Sequence, residues 1–118
     1  MDVDSLRRRR DAARAFTVEA AGVTWQLMVP TDLDMVAAAA HSRNAAENNL
    51  RLVLRALTGW SGMTEARLGG DTHGELAFSL EAAELYLADD IGTLDTLLEA
   101  LRTRWAERRA KLEESRKN

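Results

Sequence analysis

The chain has 118 residues, 46 % hydrophobic and 30 % charged, with a net charge of −3 and no cysteine. That length fits one domain with a real core, and the missing thiols exclude disulfides, thiolate metal sites and cysteine nucleophiles and suit a reducing compartment. No apolar run approaches membrane-spanning length and no signal peptide is expected, so neither a membrane partner nor secretion is anticipated.

The small net charge hides an uneven distribution. Residues 1–15 hold five Arg against three Asp, residues 16–101 four Arg against thirteen Asp and Glu, and residues 102–118 seven Lys and Arg against three Glu. An acidic body with basic ends can pair with copies of itself, as a homo-oligomer, or offer its ends to an anionic partner.

Residues 1–15 read as an Arg-rich helix with Asp2 and Asp4 at its start, where the helix dipole favours acids. Arg7 to Arg10 are consecutive and so point all round the axis, which describes a solvated terminal helix better than a nucleic-acid arm. Phe16 to Val29 is the one clear β segment. Val23, Trp25, Leu27 and Val29 alternate with Thr24, Gln26 and Met28, and Gly22 marks a turn. Pairing residues whose numbers sum to 43 sets Val18 opposite Trp25 and Phe16 opposite Leu27 on an apolar face, with Thr17–Gln26 and Glu19–Thr24 on a polar one. A two-residue turn would force Ala21 to positive φ, so a four-residue loop from Ala20 to Val23 is expected. A lone hairpin is marginal in water; its apolar face must lie on helices, with its edges open to another strand.

Pro30 ends the strand, and Thr31 with Asp34 forms a capping box for a helix running to about Leu57. Its apolar line is Val36, Ala40, Leu50, Val53, Leu54 and Leu57, with a polar middle, Ser42 to Asn49, where it can break. Leu57 to Gly70 then reads as a loop anchored by Trp60, whose neighbours Gly59 and Gly62 allow a backbone that other residues do not. Thr64 is expected to cap one helical turn ended by Gly69-Gly70, followed by an exposed polar stretch from Asp71 to Glu75. Ser79 caps a helix from Leu80 to Ala88 that buries Leu80, Ala83 and Leu87. The last helix, from about Thr93, carries Leu94, Leu98, Leu101, Trp105 and Leu112 at four-and-three spacing, too short a series for a coiled coil. Past Trp105 the segment is nearly all charged and should project into solvent. The fold class is therefore α+β and mostly helical, one N-terminal β-hairpin packed on three or four helices. Its divisions are an N-terminal helix at 1–15, a single domain at 16–105 and a charged helical tail at 106–118.

Chemistry-bearing constellations are sparse, and the chain reads as non-enzymatic with no cofactor and no metal. His41 and His73 lack ligand partners at helical spacing. Glu81, Glu84, Asp89 and Asp90 form an acidic cluster, but Glu81 stands in a helix's first turn, where a carboxylate is favoured without a ligand. Ser61 lacks the Gly-x-Ser-x-Gly spacing and strand context of a nucleophile elbow, and no Lys-Ser/Thr follows Gly69-Gly70 as a phosphate loop requires. Nucleic acid is disfavoured because the acidic body repels phosphate and Trp105 falls on its helix's apolar line.

Three phrases carry a family resemblance: Phe16-Thr-Val-Glu through Val29-Pro-Thr-Asp; Ala56 through Trp60 and Thr64 to Ala66, ending in Gly69-Gly70; and Phe78-Ser-Leu-Glu opening a helix. Across residues 16–101 the chain resembles the small tail-cluster proteins of long-tailed bacteriophages and prophages, most nearly their tail assembly chaperones. Arg67 departs from the pattern, standing where similar proteins have an acidic residue, and the tail after Trp105 is not covered. The resemblance implies a protein of the bacterial host cytoplasm that binds the helical tape-measure protein, shields its apolar surface and helps recruit tail-tube subunits. A groove for an apolar helix face would draw on Met28, Met35, Trp60 and Met63, methionine adapting readily to varied partners. Two alternatives stay open: a structural head-tail or tail subunit using the hairpin edges and charged ends, and a small nucleic-acid-binding regulator using Arg7 to Arg10 and Arg104 to Lys117.

Overall fold

The computed structural model describes residues 1–117 as an α+β fold. In chain order it runs α1 (Val3–Arg14), β1 (Ala15–Ala20), β2 (Val23–Met28), α2 (Asp32–Ala40), α3 (Ala45–Ala56), β3 (Leu57–Ser61), a 3₁₀ turn (Glu65–Leu68), α4 (Leu80–Ala88) and α5 (Ile91–Lys117). The three strands form an antiparallel sheet in the order β1-β2-β3.

The hairpin has the register expected from its apolar pattern, Phe16 opposite Leu27 and Val18 opposite Trp25. Its turn is tighter than expected. Ala20 pairs with Val23, leaving two turn residues, Ala21 at φ +56° and Gly22 at φ +73°. Such a turn matches the twist of the flanking strands, and that match outweighs the strain of one alanine in the left-handed region.

Leu57–Ser61, read from the sequence as part of a loop, is instead the third strand and makes β2 central. Trp60 pairs with Trp25 and Ser61 with Thr24, but Gln26 pairs with Gly59 and Leu27 with Leu57, so Thr58 is an extra residue in the ladder. This bulge has a packing consequence. Leu57 and Trp60 are three residues apart and would face opposite sides of a regular strand; the inserted Thr58 turns both into the core. Thr58 Oγ1 donates to the Gln26 carbonyl at 3.2 Å, which holds the bulge.

The expected capping box is present, Thr31 Oγ1 accepting from the Asp34 N–H and Asp34 from the Thr31 N–H. The helix it opens stops at Ala40, however. Ser42 Oγ donates back to the Ala38 carbonyl, and Asn44 caps a second helix by accepting from the Glu47 N–H at 2.9 Å. The two helices pack on each other, and the inward side of α2 is Met35 and Ala38 rather than the predicted Val36 and Ala40, both exposed. At about 100° per residue, Met35 and Ala38 share one side while Leu33, Val36 and Ala40 share the other.

The core lies between the sheet and α3, α4 and α5. Trp25 sits at its centre, 5.6 Å from the Trp60 ring in an edge-to-face arrangement and 5.8 Å from Tyr86; Phe78 meets Trp60 at 5.2 Å. Ser79 caps α4 as expected, and Ala83 and Leu87 are buried, but Leu80 is exposed at the helix's first position. The single turn after Thr64 ends at Gly69 in the left-handed region, although the Thr64 side chain makes no cap hydrogen bond. On α5 the buried residues are Thr93, Leu94, Leu97, Leu98 and Leu101, a wider face than the predicted line because a core-facing helix uses about three positions in seven. That helix starts at Ile91, capped by Asp90, whose carboxylate accepts from the Thr93 N–H at 3.1 Å.

Beyond Trp105 the helix continues to Lys117 without a break. It is not wholly solvated as predicted: Leu112 is half-buried, and Arg109 pairs with Asp32 at 2.9 Å, tying the tail to the start of α2. Asn118, the end of the predicted tail, lies outside the described residues. The molecule measures 56 × 33 × 20 Å with a radius of gyration of 15.8 Å. A compact chain of this length has roughly 13–14 Å. The excess reflects α5, which runs about 40 Å at about 1.5 Å per residue.

Candidate functional site

The four residues expected to line a partner groove do not come together at the surface. Met63 is completely buried, and Trp60, 7 % exposed, is locked by its rings and by an Nε1–H that donates to the Leu76 carbonyl at 2.8 Å. Met35 packs against the core from α2, and Met28 is half-buried on the other side of the sheet from Trp25. Trp60 and Met63 therefore belong to the core. Gly62, at φ +88°, makes the turn between them, and a Cβ there would sit 3.2 Å from the Gly22 carbonyl oxygen. The glycine requirement foreseen around Trp60 is real, but it serves packing between β3 and the hairpin turn.

What α2 leaves outside is more informative. Leu33 is 79 % and Val36 63 % exposed, and Ala40 continues the same strip. Beside it Ala37, Leu54 and Leu80 line a shallow groove of about 180 Å³ rimmed by His41, Arg51 and Arg55. The strip is apolar and helical, a helix carrying apolar residues on both sides. The sequence signal was available in the Met35–Ala38 spacing, but a run of four alanines has too little periodicity to say which side faces in.

Charges beside the strip are engaged in holding it. Asp34 accepts from Arg55 at 3.1 Å and lies 3.5 Å from Arg14. Burial raises the Asp34 pKa, but hydrogen bonds from Thr31 and Arg55 outweigh it and leave the group below its ordinary value. Arg14 is nearly buried, its Nε–H donating to the Val29 carbonyl at 2.8 Å. Together these bonds fix α1 and α2 against the end of β2 and hold the outward strip in one orientation.

The remaining candidates stand apart. His41 is exposed at the end of α2 and His73 in the exposed loop after the 3₁₀ turn, while Ser61 is exposed on β3. Asp90 is occupied by Thr93 and by Tyr86, whose hydroxyl donates to it at 2.6 Å; the Tyr86 pKa is raised, first by burial and then by that carboxylate. No cluster of three or more His, Asp or Glu suited to a metal ion occurs among the described residues. None of their helices is long and apolar enough to cross a membrane. Comparison with known proteins gives no match among family models, curated proteins or solved structures.

Proposed function

We propose that the chain is a non-enzymatic tail assembly protein of a long-tailed phage or prophage, a chaperone that holds the tape-measure protein in the host cytoplasm while tail-tube subunits are recruited. The observation that supports this is the outward strip of α2. Leu33, Val36, Ala37 and Ala40 recur at three- and four-residue spacing beside a shallow groove, which suits the apolar face of an amphipathic helix laid alongside. Isolated apolar side chains on a surface need no partner, but a strip on a helix already buried on its other side costs solubility unless something covers it. The contact is thus assigned to α2 in place of the methionine groove, two of whose members are core.

The test is to tag the chain in a phage-producing host and identify what co-purifies, from lysate and from purified particles in parallel. Capture of a very long helical protein from lysate, lost in Leu33→Ser/Val36→Ser with unchanged melting, is the expected result, with the chain absent from particles. Recovery of this chain in particles would favour the second reading, a structural tail subunit, for which the outer strands β1 and β3 supply edges that can accept further strands.

A further inference from the structure

The N-terminal helix and the end of α5, far apart in sequence, come together into one basic cleft. Arg9 and Arg10 of α1 face Arg104, Arg108 and Lys111 of α5 across a space of about 380 Å³, with Glu107 the sole carboxylate among its lining residues. Its apolar surface is Ala13, Val29 and Leu112. The crowding is felt by buried Arg14 next to it, whose pKa is lowered by burial and by its neighbours Arg10 and Arg108. Such a concentration of cations raises the local potential and is relieved by an anionic partner.

The opposite end of the molecule has the complementary character. Residues 61–101 contain nine Asp and Glu and a single Arg. Along α4 and its C-terminal cap residue, Glu81, Leu85 and Asp89 follow one another at four-residue spacing, with Glu84 beside them, and Leu85 is 62 % exposed. This is an apolar side chain flanked by carboxylates, and the cleft is an apolar floor flanked by guanidinium and ammonium groups. Because α5 spans the distance between these ends, one chain cannot bring its own α4 into its own cleft.

We propose that the basic cleft between α1 and the end of α5 receives the Glu81–Leu85–Asp89 face of α4 from a second copy of this chain, in a head-to-tail contact. Leu85 meets Ala13, Val29 and Leu112 while Glu84 and Asp89 pair with cleft cations. Since the two surfaces differ, each copy keeps one donor and one acceptor face free, and the contact propagates into a ring or an open string. The contact rests on different residues from the tape-measure reading, although the two surfaces adjoin where Leu33 shares a hollow with Arg10, Arg108 and Leu112.

The experiment is analytical ultracentrifugation of the nuclease-treated chain over a concentration series. Raising NaCl from about 0.1 M to about 1 M, which shortens the Debye length from about 10 Å to about 3 Å, should dissolve the larger species. Two double variants test the surfaces: Arg9→Glu/Arg108→Glu in the cleft and Glu84→Lys/Asp89→Lys on α4. Asp89 lies at the C-terminal end of α4, where a lysine suits the helix dipole better than an acid, so the second pair should fold. Each variant alone should associate at least tenfold more weakly than the parent, and an equal mixture should recover one native contact and stop at a heterodimer, since each supplies the face the other lacks and both remaining faces are altered. A parent chain that stays monomeric at low salt, a mixture that fails to recover, or association that disappears on nuclease treatment would overturn the proposal, the last in favour of nucleic acid as the occupant.

Discussion

Replacing Trp60 by alanine tests whether the central stretch is packing or interface. The ring is 7 % exposed, meets Trp25 and Phe78 edge-on at 5.6 and 5.2 Å, and donates to the Leu76 carbonyl. Burying roughly 150–250 Å² of aromatic surface at about 25 cal/mol per Å² gives roughly 4–6 kcal/mol, and measured losses for large aromatics in cores run about 3–5 kcal/mol. We take about 4 kcal/mol. That is a large part of a total stability of roughly 5–15 kcal/mol, and it should lower the melting temperature by on the order of 10–20 °C. Urea unfolding followed by far-ultraviolet circular dichroism is the right assay, because it does not rely on the deleted fluorophore. Trp60→Phe, which keeps a ring but leaves the Leu76 carbonyl without its donor, should cost only about 1–2 kcal/mol. If the alanine variant loses less than about 1 kcal/mol, the ring does not hold β3 to the core, and its assignment to packing fails.

The acid limb of stability should carry a contribution from Asp34. Its pKa in the folded chain lies below its ordinary value of 3.8, so its stabilising effect is complete above that value and vanishes as pH falls through the lower folded value. Stability of Asp34→Asn should therefore fall less steeply than the parent's across that acid range, while being lower than the parent's at neutral pH; identical slopes in urea titrations would refute the assignment. At the hairpin turn, Ala21→Gly should stabilise by about 0.5–1 kcal/mol, because Ala21 stands at φ +56° without needing a side chain. Gly22→Ala should destabilise, since φ is +73° there and the added Cβ would lie 2.8 Å from the Arg67 guanidinium, which donates to the Ala21 carbonyl. Thermal melts of the two variants moving in the same direction would contradict the turn geometry. Leu33→Ser/Val36→Ser should change stability by less than about 0.5 kcal/mol, as expected for surface positions, whatever its effect on binding.

Local chemistry alone was enough for much of the chain. The alternation from Val23 to Val29 and its counterpart from Phe16 to Val18 admit only one register that separates apolar from polar faces, because a slip of one residue would expose Trp25. Thr31 with Asp34, Asn44, Ser79 and Asp90 cap helices through hydrogen bonds a few residues long, and two of these caps, at Thr31 and Ser79, are legible in the sequence by spacing. The α+β class follows from the same local signals.

Tertiary structure decided what local patterns leave degenerate. Leu57-Thr-Gly-Trp-Ser does not alternate, and it is a strand only because β2 offers an edge and Thr58 bulges to keep Leu57 and Trp60 on the same side. In α2, Val36 and Met35 are both apolar; α3 and the core lie on one side only, and they selected Met35 and Ala38, leaving Leu33 and Val36 to the surface. The basic cleft likewise exists only because the fold returns the end of α5 to α1, turning two separate charge runs into one potential. Short-range hydrogen bonding and periodicity are encoded residue by residue, whereas which apolar face is covered and which charges become neighbours depend on elements distant in the chain.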